Sequence, residues 1–402
     1  MERIFNKMKR GVNMSRYNFD EIIDRHNTNS IKFDFMEENN MSADAMPFWV
    51  ADMDFRSPPA VIDALVERCK HGVFGYTNIK EDYFNAVYKW YKNRFGYEVK
   101  REWLIVSPGI VFAISAAIRA LTKENDGVLI QRPVYYPFSS LIVANNRRII
   151  NNPLVYKNGR YEIDFDDFEK KIRDNNVKLF ILCNPHNPVG RVWTAEELQR
   201  IAVICIKHRV IVIADEIHSD FVYNNNKHIV FASLSKHLSG ITITCTSPSK
   251  TFNLAGLQIS NIFIENEGIR RAVYNEIKKT GYANPNTMGI VSAQASYEHG
   301  GEWLDELLLY LYDNISKTKS LLAKKAPKLK VVEPEGTYLL WIDFNDLGLS
   351  DKRLNDIIVN KAKLWLNEGT MFGDEGKGFQ RINIACQWSR LEEGLNRLAE
   401  SL

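Results

Sequence analysis

Four short runs constrain the fold of this chain more than anything else in it. Residues 127–131 (GVLIQ), 178–183 (KLFILC), 210–215 (VIVIAD) and 241–246 (ITITCT) are nearly continuous in apolar character and rich in β-branched side chains. A strand with one wet face alternates polar with apolar residues. Runs this uniform are covered on both faces, as parallel strands between two layers of helices are. The intervening segments carry matching helical patterns. Residues 59–69 begin at Pro59 and end before Gly72, and residues 81–95 carry an aromatic face and stop at Gly96. A strand at 103–106 leads through Ser107-Pro108-Gly109 into an apolar helix at 110–121, and Thr194-Ala195-Glu196-Glu197 is a capping box opening a helix to Lys207. The alternation predicts an α/β fold with a doubly wound, mostly parallel sheet in a large domain at 60–300.

From residue 301 the rhythm changes. A long helix at 303–324, strands near 330–332 and 338–344, a helix at 352–361, a strand at 381–385 and a last helix predict a second, smaller α+β domain over 301–402. Residues 14–59 have no pattern of their own and are expected to pack with that small domain. The basic first 13 residues read as an extension ahead of a second methionine, Met14, and contain no apolar secretory core.

Composition narrows the function classes. The 402 residues carry a net charge of +3 with no Lys/Arg block, which argues against a nucleic-acid partner. The apolar runs end after about five residues, far short of the ~18 needed to cross a membrane. The five cysteines (Cys69, Cys183, Cys205, Cys245, Cys386) are scattered singly, without CxxC or metal-ligand spacing. They read as reduced core thiols of a cytoplasmic protein, with no metal site.

In open parallel sheets the ligand sits outside the carboxyl ends of the strands. Those ends here read Ser107-Pro108-Gly109, Arg132-Pro133-Val134-Tyr135-Tyr136, Asn184-Pro185-His186-Asn187-Pro188, Asp215-Glu216-Ile217-His218 and Ser247-Pro248-Ser249-Lys250. A lysine, an acid, an amide, aromatic rings, hydroxyls and a helix N-terminus converge, and pyridoxal 5'-phosphate needs all of them. Its aldehyde takes a desolvated lysine as a Schiff base, and its ring nitrogen needs a carboxylate to stay protonated. Its phenolic oxygen wants an amide or hydroxyl, its ring an aromatic face, and its phosphate the amides of a helix N-terminus. The corresponding residues are Lys250, Asp215, Asn187 and Tyr135, with Ser247, Ser249 and the amides of Ile110 and Val111 for the phosphate. Ser-x-x-Lys alone says little, since it also occurs at Ser233 and Ser316, but only Ser247 directly follows a buried strand. Taken singly, Asp215 could be a helix cap, Asn187 a turn former and Tyr135 a core ring. Their order at successive strand ends is what singles them out.

From residue 14 onward the chain resembles the fold-type I pyridoxal-phosphate enzymes of the class I/II aminotransferase family. The blocks 184–190, 214–218, 247–250 and 381–386 carry that likeness. The segments PFWVADMDF (47–55), PVYYPF (133–138) and SKTFNLAGLQ (249–258) resemble the cystathionine β-lyase/cysteine-sulfur lyase branch. The resemblance implies the roles above and places Arg381 on the substrate's α-carboxylate, where a guanidinium makes a bidentate pair that lysine cannot. It puts Asn187 and Tyr136 beside the substrate. It also implies that Tyr76 reaches the cofactor phosphate of a neighbouring subunit, so that the active unit is a homodimer with shared sites.

Two positions depart from the general family pattern. His218 stands where many members have a tyrosine donating to the phenolic oxygen, and Gln258 where many have a phosphate-binding arginine. Both fit the lyase branch. The implied reaction is α,β-elimination from cystathionine or cysteine, with Lys250 moving the Cα proton and Lys250 or Tyr76 protonating the sulfur. An aminotransferase, or a moonlighting regulator that keeps the scaffold, remains as an alternative. The aromatics Trp49, Tyr136 and Trp341 could shape the side-chain pocket, but such residues are more often plain core.

Overall fold

The computed structural model describes residues 16–402. The expectations for the first 13 residues and for Met14 fall outside that range. The central sheet has seven strands: β1 (Leu104–Ser107), β2 (Gly127–Ile130), β3 (Arg148–Asn151), β4 (Leu179–Cys183), β5 (Ile211–Asp215), β6 (Thr242–Thr246) and β7 (Ser260–Ile264). Their order is β1-β7-β6-β5-β4-β2-β3. Strands β3, β2, β4, β5 and β6 pair in parallel, while β7 runs antiparallel to both β6 and β1. Every residue of β2, β4, β6 and β7 is buried, as uniform apolar runs require. The sequence reading missed β7, because its alternation of Ser260 and Asn261 with Ile262-Phe263-Ile264 is no cleaner than that of a loop. Asn261 is buried and accepts the Tyr83 hydroxyl at 2.8 Å, which is how a polar residue survives there.

The helices begin and end where local chemistry says they should. Thr194 and Glu197 form the reciprocal capping box at the start of Ala195–His208. Pro59–His71 ends at Gly72, whose φ of 75° puts it in the left-handed region that a C-cap needs. The expected helix at 352–361 is an α-helix over Asp351–Asp356 followed by a π-helical turn at Ile357–Lys361. Cys69 is exposed on the first helix, so only four of the five cysteines are core thiols.

A second, four-stranded antiparallel sheet follows the 25-residue helix Gly301–Lys325. Its strands are β8 (Lys330–Val331), β9 (Leu339–Asp343), β10 (Asn367–Glu368) and β11 (Phe379–Asn383), in the order β8-β9-β11-β10. The N-terminal segment packs beside this sheet: Met46–Pro47 pairs in parallel with Leu364–Trp365, and Asn383 donates its amide to the Val50 and Asp52 carbonyls. The two sheets are joined at Gly336. Its amide and that of Glu335 both donate to Gly190 O at 2.9 Å. A Cβ at Gly336 would meet Phe221 O at 2.7 Å and Val192 Cγ2 at 2.8 Å, so only glycine lets the backbones cross this closely. Beside it, buried Arg191 bridges Glu335 and Glu197, each at 2.8 Å.

Candidate active site

A cleft of about 240 Å³ opens at the carboxyl ends of the central strands. Lys250, Asp215, Asn187, Tyr135, Tyr136, His218, Ser249, Ile110, Val111 and Arg381 all line it. The topology explains this. Parallel strand β4 delivers Asn187 just past its end and β5 delivers Asp215 as its last residue, and β6 runs into the one-turn helix Pro248–Thr251 that carries Lys250.

Asp215, the last residue of β5, is buried and accepts only the Ile217 amide, at 3.2 Å. Burial raises its carboxyl from the ordinary 3.8 to about 7, against the pull of that amide and of Lys250. Lys250 is shifted the other way, from 10.5 to about 8. Burial is again the largest cause and Arg381 adds to it, while Asp52 and Asp215 oppose. Its Nζ donates to Ala51 O at 2.7 Å. An amine near 8 is partly neutral at physiological pH, as a nucleophile or base must be.

Arg381 lies in the middle of β11, not at a strand end, and comes from the second sheet. It donates to Asn187 Oδ1 at 2.9 Å, to Trp49 O at 2.7 Å and to Asn367 Oδ1, and its guanidinium stands 5.0 Å from the Phe372 ring centre. Burial lowers it to about 10, so it keeps its charge at neutral pH. His218 is buried and pushed well below its usual value by burial, then by Lys250 and Arg381, which leaves it a neutral ring. Tyr135 is pushed up to about 12 by burial, and its amide donates to Asn187 O at 3.0 Å, locking two loops together. Tyr136 packs against Phe372 at 6.2 Å on the cleft wall.

Ile110 and Val111 open the helix Ile110–Leu121, which has no side-chain cap behind its extended Gly109. Its first amides are therefore donors available to an anion. Ser249 lines the cleft, but Ser247 does not. The Ser247 hydroxyl donates to Ile259 O at 2.8 Å and accepts the Ser249 amide at 3.1 Å, so it caps the lysine's turn. Tyr76 lies on an exposed loop, 99% accessible, and does not line the cleft of its own chain. Trp341 is core, stacked on Phe379 at 5.2 Å, whereas Trp49 lines the cleft and stacks on Trp365 at 4.4 Å.

Sequence reasoning missed Ala51 and Asn367. Asn367 sits opposite Arg381 in the β10–β11 register, which no spacing in the sequence reveals. Ala51 belongs to a strap, residues 49–54, whose backbone is held by side chains. Asn253 binds the Met53 amide and carbonyl, and Tyr338 donates to Ala51 O at 3.0 Å. Beneath the strap, buried Lys32 and half-buried Arg25 pair with Asp54 at 2.9 and 2.7 Å, and Arg25 also pairs with Asp52 at 2.6 Å.

The donor set suits pyridoxal phosphate. Three buried polar atoms of cleft residues, Trp49 Nε1, His218 Nδ1 and Arg381 Nε, have no hydrogen-bond partner among the described residues. None of the hydrogen bonds of Asn187 uses its side-chain Nδ2 donor, and the helix N-terminus is uncapped. Among the described residues there is no cluster of His, Cys, Asp and Glu fit to hold a metal, and no helix long and apolar enough to cross a membrane.

Comparison with known proteins agrees with this geometry. The family model for aminotransferase class I and II matches residues 43–398. The chain is 44% identical over 386 residues to the cystathionine beta-lyase PatB of Bacillus subtilis, covering 96% of this chain and all of the relative. It superposes on cystalysin from Treponema denticola, a structure containing pyridoxal 5'-phosphate, with a TM-score of 0.93 and 39% identity over 96% of this chain and 99% of that one. For the pyridoxal-phosphate-bound C-S lyase of Staphylococcus hominis the values are 0.89 and 35%, over 96% and 98%. The chain belongs to the class I and II aminotransferase family.

Proposed function

We propose that this protein is a pyridoxal-phosphate-dependent carbon–sulfur lyase that converts a sulfur amino acid, cystathionine or cysteine, to pyruvate, ammonia and a thiol. The observation that carries the reading is the convergence of Lys250, Asp215, Asn187 and Arg381 on one cleft. The identity to a cystathionine beta-lyase favours elimination over amino transfer. In this reading residues 60–300 hold the cofactor, and residues 301–402 with 14–59 supply the substrate side.

The cofactor, when bound, supplies an electron sink that makes the substrate's Cα acidic and its Cβ–S bond labile. Lys250 would hold its aldehyde and Asp215 its ring nitrogen. Asn187 and neutral His218 would hold its ring substituents, Tyr135 its face, and Ser249 with the amides of Ile110 and Val111 the phosphate. Arg381 fixes the substrate carboxylate and so orients the Cα–H bond. The Lys250 amine would take the Cα proton and return a proton to the departing sulfur. Gln258 is exposed and does not line the cleft, so no arginine serves the phosphate at that position.

The same reading makes the active unit a homodimer in which Tyr76 reaches the phosphate of the other chain. Val73, Phe74 and Tyr76 are exposed together with Ile62 and Val66 of the preceding helix, an apolar stretch that a second copy would cover. Four buried reduced cysteines favour the cytoplasm.

Incubation with cystathionine or cysteine and no keto acid tests the function. Continuous pyruvate and thiol release is expected. One turnover followed by a stall would instead mark an aminotransferase.

A further inference from the structure

Lys250 stands on a helix of a single turn, Pro248–Thr251, whose carbonyls at Pro248 and Ser249 accept the Phe252 amide at 2.9 Å and the Leu254 amide at 3.0 Å. One turn does not hold itself, since nucleation costs more than its few hydrogen bonds return. Side chains pin it from both ends. Ser247 holds the start, as described above. At the other end the Thr251 hydroxyl donates to Asp220 Oδ2 at 2.8 Å, with both residues buried.

Asp220 belongs to the tight segment that follows Asp215. The Ile217 amide donates to Asp215 itself, the Ser219 amide to Glu216 O at 3.0 Å and the Phe221 amide to His218 O at 2.9 Å. Strand pairing couples β5 to β6 only as far as the Glu216 amide on Cys245 O at 3.0 Å. Beyond that point the Thr251–Asp220 bond ties the lysine's segment to the acid's, one residue from the reacting amine.

A carboxylate buried here is costly unless paired. Arg94, on the helix Glu81–Phe95, places Nε 3.1 Å from Asp220 Oδ1, and its guanidinium lies over the Trp90 ring at 4.8 Å and 3.4 Å from Asp305. Arg94, Asp220 and Asp305 line a separate cavity of about 340 Å³ that shares no lining residue with the catalytic cleft. Neither Thr251 nor Asp220 lines that cleft, so both act through Lys250.

We propose that Thr251 and Asp220, with Arg94 as counter-ion, form a strut that positions the Lys250 amine relative to Asp215. They are positioning residues for the reaction, and the proposal rests on the role assigned to Lys250 above. A charge-assisted bond between buried groups is a stiff link, and small misplacements of a reacting group cost rate steeply.

The test compares T251V, which keeps the shape and loses the hydroxyl, with T251S, which keeps the hydroxyl. In the loaded enzyme T251V is expected to lower kcat on the order of tenfold to a hundredfold, with KM within about twofold. T251S should stay within about twofold of the parent in both. A second readout needs no cofactor: the pH midpoint for acetylation of the Lys250 amine in the cofactor-free full chain, followed by peptide mass. Burial sets that midpoint first, and the charged groups acting on it are Asp52, Arg381 and Asp215. T251V is expected to shift it and T251S to leave it in place. If T251V does not fold, T251A is read by the same criteria.

Parent-like kcat and midpoint in the variant lacking the hydroxyl would overturn the strut, as would equal impairment of T251S. Absence of any cofactor adduct in the parent would overturn the proposed function instead. The acetylation comparison would still decide the strut.

Discussion

Asp215 should destabilise the cofactor-free protein, and by an amount that pH controls. Its carboxyl is raised from 3.8 to about 7, chiefly by burial. Once ionised above pH 7, such a group costs about 4 kcal/mol relative to the unfolded chain, at about 1.4 kcal/mol for each pH unit by which the two states differ. The sign follows from proton binding. Between pH 3.8 and 7 the folded chain holds a proton that the unfolded chain has lost, so the group's contribution is intact below 3.8 and lost as pH rises to 7. Asp215→Asn keeps the volume and an acceptor for the Ile217 amide but carries no charge. Its own NH2 wants a partner, which takes back about 1–2 kcal/mol. Urea unfolding of the cofactor-free chains at pH 8 should therefore find D215N more stable by about 2–3 kcal/mol, with the gap at least halved by pH 5. Equal stability at pH 8, or a gap that ignores pH, would refute the claim that burial controls this carboxyl.

Lys250 should show the mirror-image behaviour in another window. Lowered from 10.5 to about 8, it contributes stability present above pH 10.5 and lost as pH falls through 8. K250M should flatten that slope and abolish turnover. Arg381→Lys gives up the bidentate face and two charge-assisted bonds of about 1.5–3 kcal/mol each, so kcat/KM should fall by about 10²–10³, read by steady-state kinetics. Lys32→Met leaves Asp54 buried beside Arg25 alone and should cost about 3–5 kcal/mol in urea unfolding. If Tyr76 serves the other chain's site, mixing inactive Y76F and K250A chains should restore about a quarter of parent activity, because half the dimers would carry one complete site.

The parts of the fold legible in sequence were those in which local pattern and burial agree. Strands β2, β4, β5 and β6 are buried on both faces, and their apolar runs say so without help from the rest of the chain. The ends of those strands then pointed to Lys250, Asp215 and Asn187. Contacts made across the chain were not legible. Asn367 meets Arg381 only through strand register, and Ala51 meets Lys250 across 199 residues of sequence. Ser247 has a task that its spacing does not announce, since its hydroxyl caps the turn that carries Lys250. Asp220 gave no signal of its own, since an acid five residues past a strand end is unremarkable until Thr251 is seen to reach it.

The central claim is that the Lys250 amine is the group that takes the cofactor, across the cleft from Asp215. Reconstitution with pyridoxal phosphate, borohydride reduction and peptide mass mapping tests it directly. A single pyridoxyl adduct on Lys250, lost in K250A and weakened in D215N, is the expected result. A stable adduct on another lysine, or none on a chain that binds the cofactor, would contradict it.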